Sequence, residues 1–233
     1  MSEYAITVEG LGKTFELYNP EQATIPVFEG LDLMVKPGEC VCLAGESGVG
    51  KSTLMRSIYG NYMPSVGKVS VNHDGEMVEI TGAPPRVLLD IRRRTLGYVS
   101  QFLRVIPRIT TLDLVRQPLL ENGVDEDEAD ERARRLLTKL RLPERHWGIP
   151  PATFSGGEQQ RVNIARSFVR EYPIMLLDEP TASLDAGNRE TVIALIKESL
   201  DSGAAMIGIF HDIDVRDEVA TRLFNVEEFA AAA

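Results

Sequence analysis

The chain has only two cysteines in 233 residues, no apolar run longer than a strand, and no surplus of positive charge. Cys40 and Cys42 stand two apart in the apolar run from Glu39 to Ala44, so on a strand they point the same way and are poorly placed to bridge. They read as reduced core cysteines of a cytosolic protein rather than a redox or metal pair. The longest apolar stretches, Ile174 to Leu177 and Ala204 to Phe210, fall far short of the ~20 residues of a membrane span. Lys and Arg total 25 against 35 Asp and Glu, a formal charge of -10. That balance argues against broad binding to nucleic acid or anionic lipid, while leaving room for a local basic pocket. The opening Met1-Ser2-Glu3-Tyr4 shows no basic and apolar leader, so a cytoplasmic protein is expected, with any membrane link made through a partner.

Neither an internal repeat nor a disordered linker interrupts the chain. Its length suits one large domain with a lobe set into it, and 43% hydrophobic and 26% charged residues are ordinary for a globular protein. The first ~80 residues read as short strands and turns, with alternation in Tyr4 to Val8 and Leu31 to Val35. Pro37-Gly38 turns the chain into a buried strand, Cys40 to Leu43, which a glycine-rich loop joins to a helix from about Lys51 to Tyr59. Strand signal returns at Lys68 to Val71, Met77 to Ile80 and Leu96 to Ser100. Helical spacing then dominates at Thr111 to Leu120 and Glu126 to Leu140, the second opening on the acidic cluster Asp125 to Glu128, as a solvated helix start favours. A helix from Ser155 to about Arg170, a strand Ile174 to Leu177, a helix Asn188 to Leu200, a strand Ala205 to Phe210 and a helix Ile213 to Ala220 follow. Strands separated by helices predict an α/β fold with a mainly parallel sheet. Residues 102 to 153 are expected as a helical lobe inserted in a single domain of residues 1 to 229, and Ala230 to Ala233 as a tail without fold information.

Three motifs carry chemistry. Gly45-Glu46-Ser47-Gly48-Val49-Gly50-Lys51-Ser52-Thr53 is a full GxxxxGK[ST] phosphate loop, between a buried strand and a helix as the motif requires. Its glycines let successive N–H groups converge on phosphates at a helix N-terminus, Lys51 adds a compact positive charge, and the Ser52 hydroxyl suits Mg²⁺. The strand Ile174 to Leu177 ends in Asp178-Glu179-Pro180, two carboxylates at the sheet edge where such folds place ligands. Asp178 is the candidate for holding Mg²⁺, and Glu179 for directing the attacking water. Taken alone, two acids after a strand are a weak signal; beside a phosphate loop they are a strong one. Thr153-Phe154-Ser155-Gly156-Gly157-Glu158-Gln159-Gln160-Arg161 opens a helix with Ser155 as N-cap, whose hydroxyl and the Gly156 and Gly157 N–H groups form a second anion site. A chain that already has a phosphate cradle has no use for another, which suggests a site completed by another subunit.

GESGVGKST, SGGEQQR, LLDEPTASLD and a downstream histidine together resemble the ABC ATPase family. The resemblance implies a P-loop core with an N-terminal antiparallel β subdomain and an inserted helical subdomain. It also implies a head-to-tail dimer, of two copies or with a related ABC subunit, in which Ser155 to Gly157 of one protomer close on ATP held by the other. By the same resemblance, Gln101 senses Mg²⁺ and water, Asp185 communicates across the dimer, His211 reads the γ-phosphate, and Phe15 stacks on adenine. Phe154 before Ser-Gly-Gly and Phe15 in place of a tyrosine depart mildly from the pattern, and neither removes a group needed for hydrolysis.

Stretches between the motifs, Ile58 to Tyr62, Gln101 to Arg108, Gln117 to Leu120 and Gly208 to Asp212, resemble the shorter ABC subunit of the bacterial carbon–phosphorus lyase system. That resemblance implies soluble lyase subunits as partners and a role in joining a phosphonate to C1 of ATP's ribose with loss of adenine. The N-terminal half also resembles transporter ATPases of the lipoprotein-release and macrolide-export type. The segment after Gln101, with Arg104 and Arg108 among apolar residues, is where the two should differ.

Overall fold

A computed structural model describes residues 3–16, 24–103 and 108–231. The elements in chain order are β1 (Ile6–Glu16), β2 (Thr24–Val35), β3 (Cys40–Ala44), α1 (Lys51–Ile58), β4 (Val66–His73), β5 (Glu76–Glu79), α2 (Pro85–Arg94) and β6 (Leu96–Val99). There follow α3 (Thr111–Leu120), α4 (Glu126–Lys139), α5 (Gly156–Phe168), β7 (Ile174–Asp178), α6 (Ala186–Asp201), β8 (Ala205–Ile209), α7 (Ile213–Val219) and β9 (Arg222–Asn225).

They build two sheets. One is antiparallel, in the order β2-β1-β4-β5; the other has the order β6-β7-β8-β3-β9, with every pairing parallel. The parallel strands read as unbroken apolar runs because both of their faces are covered. Alternate residues of β3 enter separate cores. Cys40 and Cys42 join Met175, Leu177 and the helices α3 to α6, whereas Val41 and Leu43 join the antiparallel sheet, Leu54 and Met55 of α1, and Ile91 of α2. Both thiols are fully buried and free, their sulfurs 4.0 Å apart on one side of the strand. The contact with the Cys42 thiol, together with burial, raises the Cys40 pKa well above the ordinary range, which suits a packing role.

The helical lobe of α3 and α4 packs on α5 through Leu114, Val115, Leu119, Ala133 and Leu137. The acidic cluster is the helix start that its charge suggests: Asp125 caps α4 by accepting from the Asp127 N–H at 2.9 Å, and Glu126, Asp127 and Glu128 fill the first turn. Two elements differ from expectation. α2 was not anticipated, because half of its residues are charged and only Ile91 is buried; Pro85 at the helix start and Arg92 to Arg94 at its end suit the two termini. β9 is a short, mostly exposed edge strand. Near the last described residue, Ala230 bridges to Phe28 and the Ala231 N–H donates to the Val27 carbonyl at 3.2 Å. Among the described residues, no helix is long and apolar enough to cross a membrane.

Candidate active site

The loop of residues 45 to 50 leaves β3 at the carboxyl edge of the parallel sheet and delivers the chain into α1. Gly50 is the N-cap of α1 with φ 107°, and a Cβ there would stand 2.6 Å from Val27 Cγ1. A side chain is therefore excluded both by the left-handed backbone and by the close approach of β2. No acidic residue occupies the first turn of α1, so its N–H groups stay open to an anion. Lys51 Nζ donates to the carbonyls of Gly45 at 2.6 Å and Glu46 at 2.7 Å. The Glu46 N–H donates to the Glu227 carboxylate. A cavity of about 260 Å³ opens beside the loop, lined by Gly45, Ser47, Lys51, Phe210, His211 and Arg216 among others.

The two acids face this region from β7. Asp178 is 2% exposed and accepts from the Tyr98 hydroxyl at 2.9 Å, while its Oδ1 is buried without a partner. Burial holds its carboxyl above the ordinary range, and the charge of Glu179 adds to the rise, against the bond from Tyr98 and the neighbouring Arg56 and Ser52. Among the described residues, no three His, Cys, Asp or Glu side chains cluster as a metal site. The orphaned Asp178 oxygen beside the Ser52 hydroxyl nevertheless fits a hard cation whose remaining ligands come from phosphate and water. Because the folded-state pKa of Asp178 is raised, the stability associated with its protonated form is lost as pH rises through that value. Asp178→Asn should therefore gain stability over wild type as pH increases above the carboxylate range. Thermal unfolding of the nucleotide-free proteins across about pH 4 to 8 checks it, and a constant difference refutes it.

Glu179 has φ 53°, rare for a residue with a side chain. Gln101 Nε2 donates to its Oε2 at 3.0 Å, and His211 Nε2 lies 2.7 Å from its Oε1. A carboxylate only accepts, so Nε2 carries the proton in this contact. Glu179 is 15% exposed and His211 68%, which leaves the histidine edge open to an incoming ligand. Gln101, Glu179 and His211, scattered in sequence, are thus brought together.

Ser155 caps α5 in a reciprocal box. Its hydroxyl donates to Glu158 Oε2 at 2.7 Å, its N–H donates to the same oxygen at 2.9 Å, and the Glu158 N–H lies 3.4 Å from Ser155 Oγ. This differs from the open anion site anticipated from the sequence: a carboxylate already occupies the hydroxyl. Ser155, Gly156 and Gly157 are also absent from the lining of the cavity beside the 45–50 loop in their own chain. A Cβ on Gly157 would stand 2.8 Å from the Ser183 carbonyl, whereas one on Gly156 would meet nothing within 4 Å. Gly157→Ala should lower stability by about 1–3 kcal/mol, and Gly156→Ala should leave it nearly unchanged. Equal melting temperatures for the two variants would contradict this contact.

Asp185 caps α6, accepting from Asn188 N at 2.9 Å and Nδ2 at 2.7 Å, bonds that hold its carboxyl below the ordinary range. Phe15 lies edge-on to Tyr62, 5.4 Å between centroids, with Lys13 Nζ over its ring at 4.6 Å. Arg104 lies outside the described residues. Sequence reasoning missed Tyr98, Arg216 and Glu227, whose roles depend on contacts between distant positions and on no local motif.

The family model described as ABC transporter matches residues 28–182. The chain belongs to this family, as an ATP-binding ABC ATPase subunit. The lipoprotein-releasing system ATP-binding protein LolD of Pseudomonas syringae pv. tomato is 38% identical and 97% of each chain is covered. The macrolide export ATP-binding/permease protein MacB of Marinobacter nauticus is 36% identical over 89% of this chain and 31% of that longer protein. Among solved structures, dimeric MJ0796, a bacterial ABC transporter cassette, superposes with a TM-score of 0.84 at 30% identity over 95% of both chains. A post-hydrolysis dimer of the same cassette bound to ADP and Pi gives 0.83 at 31% identity over 94% of this chain and 93% of that one. These relatives carry transporter names, and none of them supports the finer resemblance to a carbon–phosphorus lyase subunit.

Proposed function

We propose that the protein is the ATP-hydrolysing subunit of a transporter of the lipoprotein-release or macrolide-export type, working as a head-to-tail dimer beneath a membrane permease, on its cytoplasmic side. The observation that carries the hydrolytic reading is Glu179, held between Gln101 and His211 at the end of β7. The loop N–H groups and Lys51 bind the phosphates, Ser52 and Asp178 hold Mg²⁺, and Phe15 meets the adenine. Mg²⁺ supplies charge neutralisation across the phosphate oxygens. Glu179 accepts a proton from the attacking water once His211 turns from the carboxylate to the γ-phosphate, while Gln101 keeps the water in line. Asp185 and the Ser155–Gly157 turn serve the facing protomer, where Ser155 exchanges its bond to Glu158 for one to the partner's nucleotide.

The transporter reading draws on the LolD and MacB names. On this reading the permease meets the groove of about 290 Å³ lined by Arg108, Ile109, Asp113, Arg116, Gln117 and Leu120. Arg108→Glu should weaken docking with basal hydrolysis intact. A second reading, action with soluble carbon–phosphorus lyase subunits, is favoured by the stretches between motifs, notably Gln101 to Arg108 and Gly208 to Asp212. The two relatives, named for different cargoes, are 38% and 36% identical, so identity alone selects no cargo. Pull-down of tagged protein from cells grown on a phosphonate as sole phosphorus source separates the readings. Recovery of an integral permease supports the first, and recovery of lyase subunits without a permease overturns it for the second.

A further inference from the structure

Three polar side chains of α5 are buried against backbone that belongs to the hydrolytic machinery. Gln160, Asn163 and Ser167 are 4%, 5% and 8% exposed, and their spacing sets them on one helix face. Gln160 Nε2 donates to the Pro180 carbonyl at 3.2 Å, Asn163 Nδ2 to the Ser100 carbonyl at 2.6 Å, and Ser167 Oγ to the Tyr98 carbonyl at 3.2 Å. Pro180 follows Glu179, Ser100 precedes Gln101, and Tyr98 holds Asp178. Apolar side chains would fill this face at less desolvation cost, so the amides are explained by the carbonyls they satisfy. Ser100 and Pro180 lie just beyond the ends of β6 and β7, where the ladder stops supplying donors. At the start of the same helix, Gly157 is in close approach to the Ser183 carbonyl.

We propose that Asn163 and Gln160 are positioning residues that tie Gln101 and Glu179 of one protomer to the Ser155–Gly157 turn with which that protomer covers its partner's nucleotide. The proposal rests on the head-to-tail reading given above. A helix transmits displacement along its axis, and Asn163 lies only ~12 Å from Ser155 at 1.5 Å per residue. When the partner's phosphates draw the Ser155 turn, Asn163 draws the Ser100 carbonyl, and the next residue, Gln101, shifts against Glu179. Gln160 moves Pro180, and with it the backbone of Glu179, in the same stroke. Each protomer's α5 thereby reports the other's nucleotide, and by symmetry the two sites fire together.

The test is steady-state ATP hydrolysis by the full-length protein as a function of ATP. Wild type should be sigmoidal, with a Hill coefficient approaching 2, the number of sites. Asn163→Leu keeps the volume and removes the donor. It should lower kcat about tenfold through misplacement of Gln101, shift half-saturation less than about twofold, and bring the Hill coefficient to about 1. Gln160→Met should move all three the same way, and serves if leucine at 163 prevents folding. A purely structural role would lower the melting temperature while leaving kcat per folded molecule and the Hill coefficient at wild-type values, and that result overturns the proposal. So does a wild-type Hill coefficient of 1. The dimer is tested apart, in a Glu179→Gln background. If that protein fails to dimerise with ATP, the head-to-tail reading falls and takes this one with it. If it dimerises, with and without Asn163→Leu, but Asn163→Leu and Gln160→Met alone hydrolyse as wild type, only the positioning role is lost.

Discussion

Glu179→Gln should bind ATP and lose nearly all turnover, a fall of ~10² to 10⁴ if the carboxylate takes the water's proton. Glutamine keeps the size of the side chain: its one carbonyl oxygen can accept from His211 Nε2, now 2.7 Å from the carboxylate, and its NH2 can donate to Gln101 once the Gln101 amide flips to present its oxygen. What disappears is the capacity to accept a proton. Nucleotide affinity, which the proposal assigns to the loop and Lys51, should change little. Phosphate release and calorimetric titration with ATP, taken on the same sample, measure the two quantities. Hydrolysis at the wild-type rate would remove Glu179 from its assigned role.

The second large effect concerns association. In the Glu179→Gln background, ATP and Mg²⁺ should convert monomer to dimer, and adding Ser155→Arg should abolish that conversion. Ser155 stands exposed at the start of α5, where a long side chain points into the space assigned to the partner's phosphates. Loss of the cap itself costs about 1 kcal/mol, an amount that Ser155→Ala also incurs without the added bulk. Ser155→Ala is therefore the control: it should weaken the dimer and leave it detectable. Light scattering with ATP present distinguishes the three proteins, and a Ser155→Arg dimer as strong as the parent's would end the head-to-tail assignment.

Much of the site is visible in the sequence because its signals are local. Glycine spacing around Lys51 and the acids ending an apolar run are each written within a few residues. Gln101 and His211 are different: nothing near them announces a function, and they were placed only by the family pattern. Contacts across the chain left no such trace. Tyr98 meets Asp178 through the pairing of β6 with β7, and Asn163 meets Ser100 where α5 packs on β6. The capture of Ser155 by Glu158 could be read as a capping box from the spacing, yet its consequence, a hydroxyl already engaged, appears only with the geometry. α2 escaped notice because three consecutive arginines and a single buried isoleucine mask its periodicity. The cargo is less legible still, since the motifs concern phosphate chemistry and say nothing of what lies above them.

Lys51 gives the phosphate loop a property that the motif does not advertise. Its ammonium sits on the carbonyls of Gly45 and Glu46, so the loop carries its own counter-ion while it waits. If Lys51 binds phosphate as proposed, arrival of a triphosphate is an exchange rather than a capture, because the two carbonyl bonds must be given up for the ammonium to reach the anion. On that reading the heat of binding would report only the difference between those two states, and would understate the strength of a lysine–phosphate contact. The same exchange makes Lys51 a structural residue in the empty protein. Shortening it to alanine would leave the Gly45 carbonyl without this donor and the Glu46 carbonyl with only the Val49 N–H at 3.4 Å, and so loosen the loop.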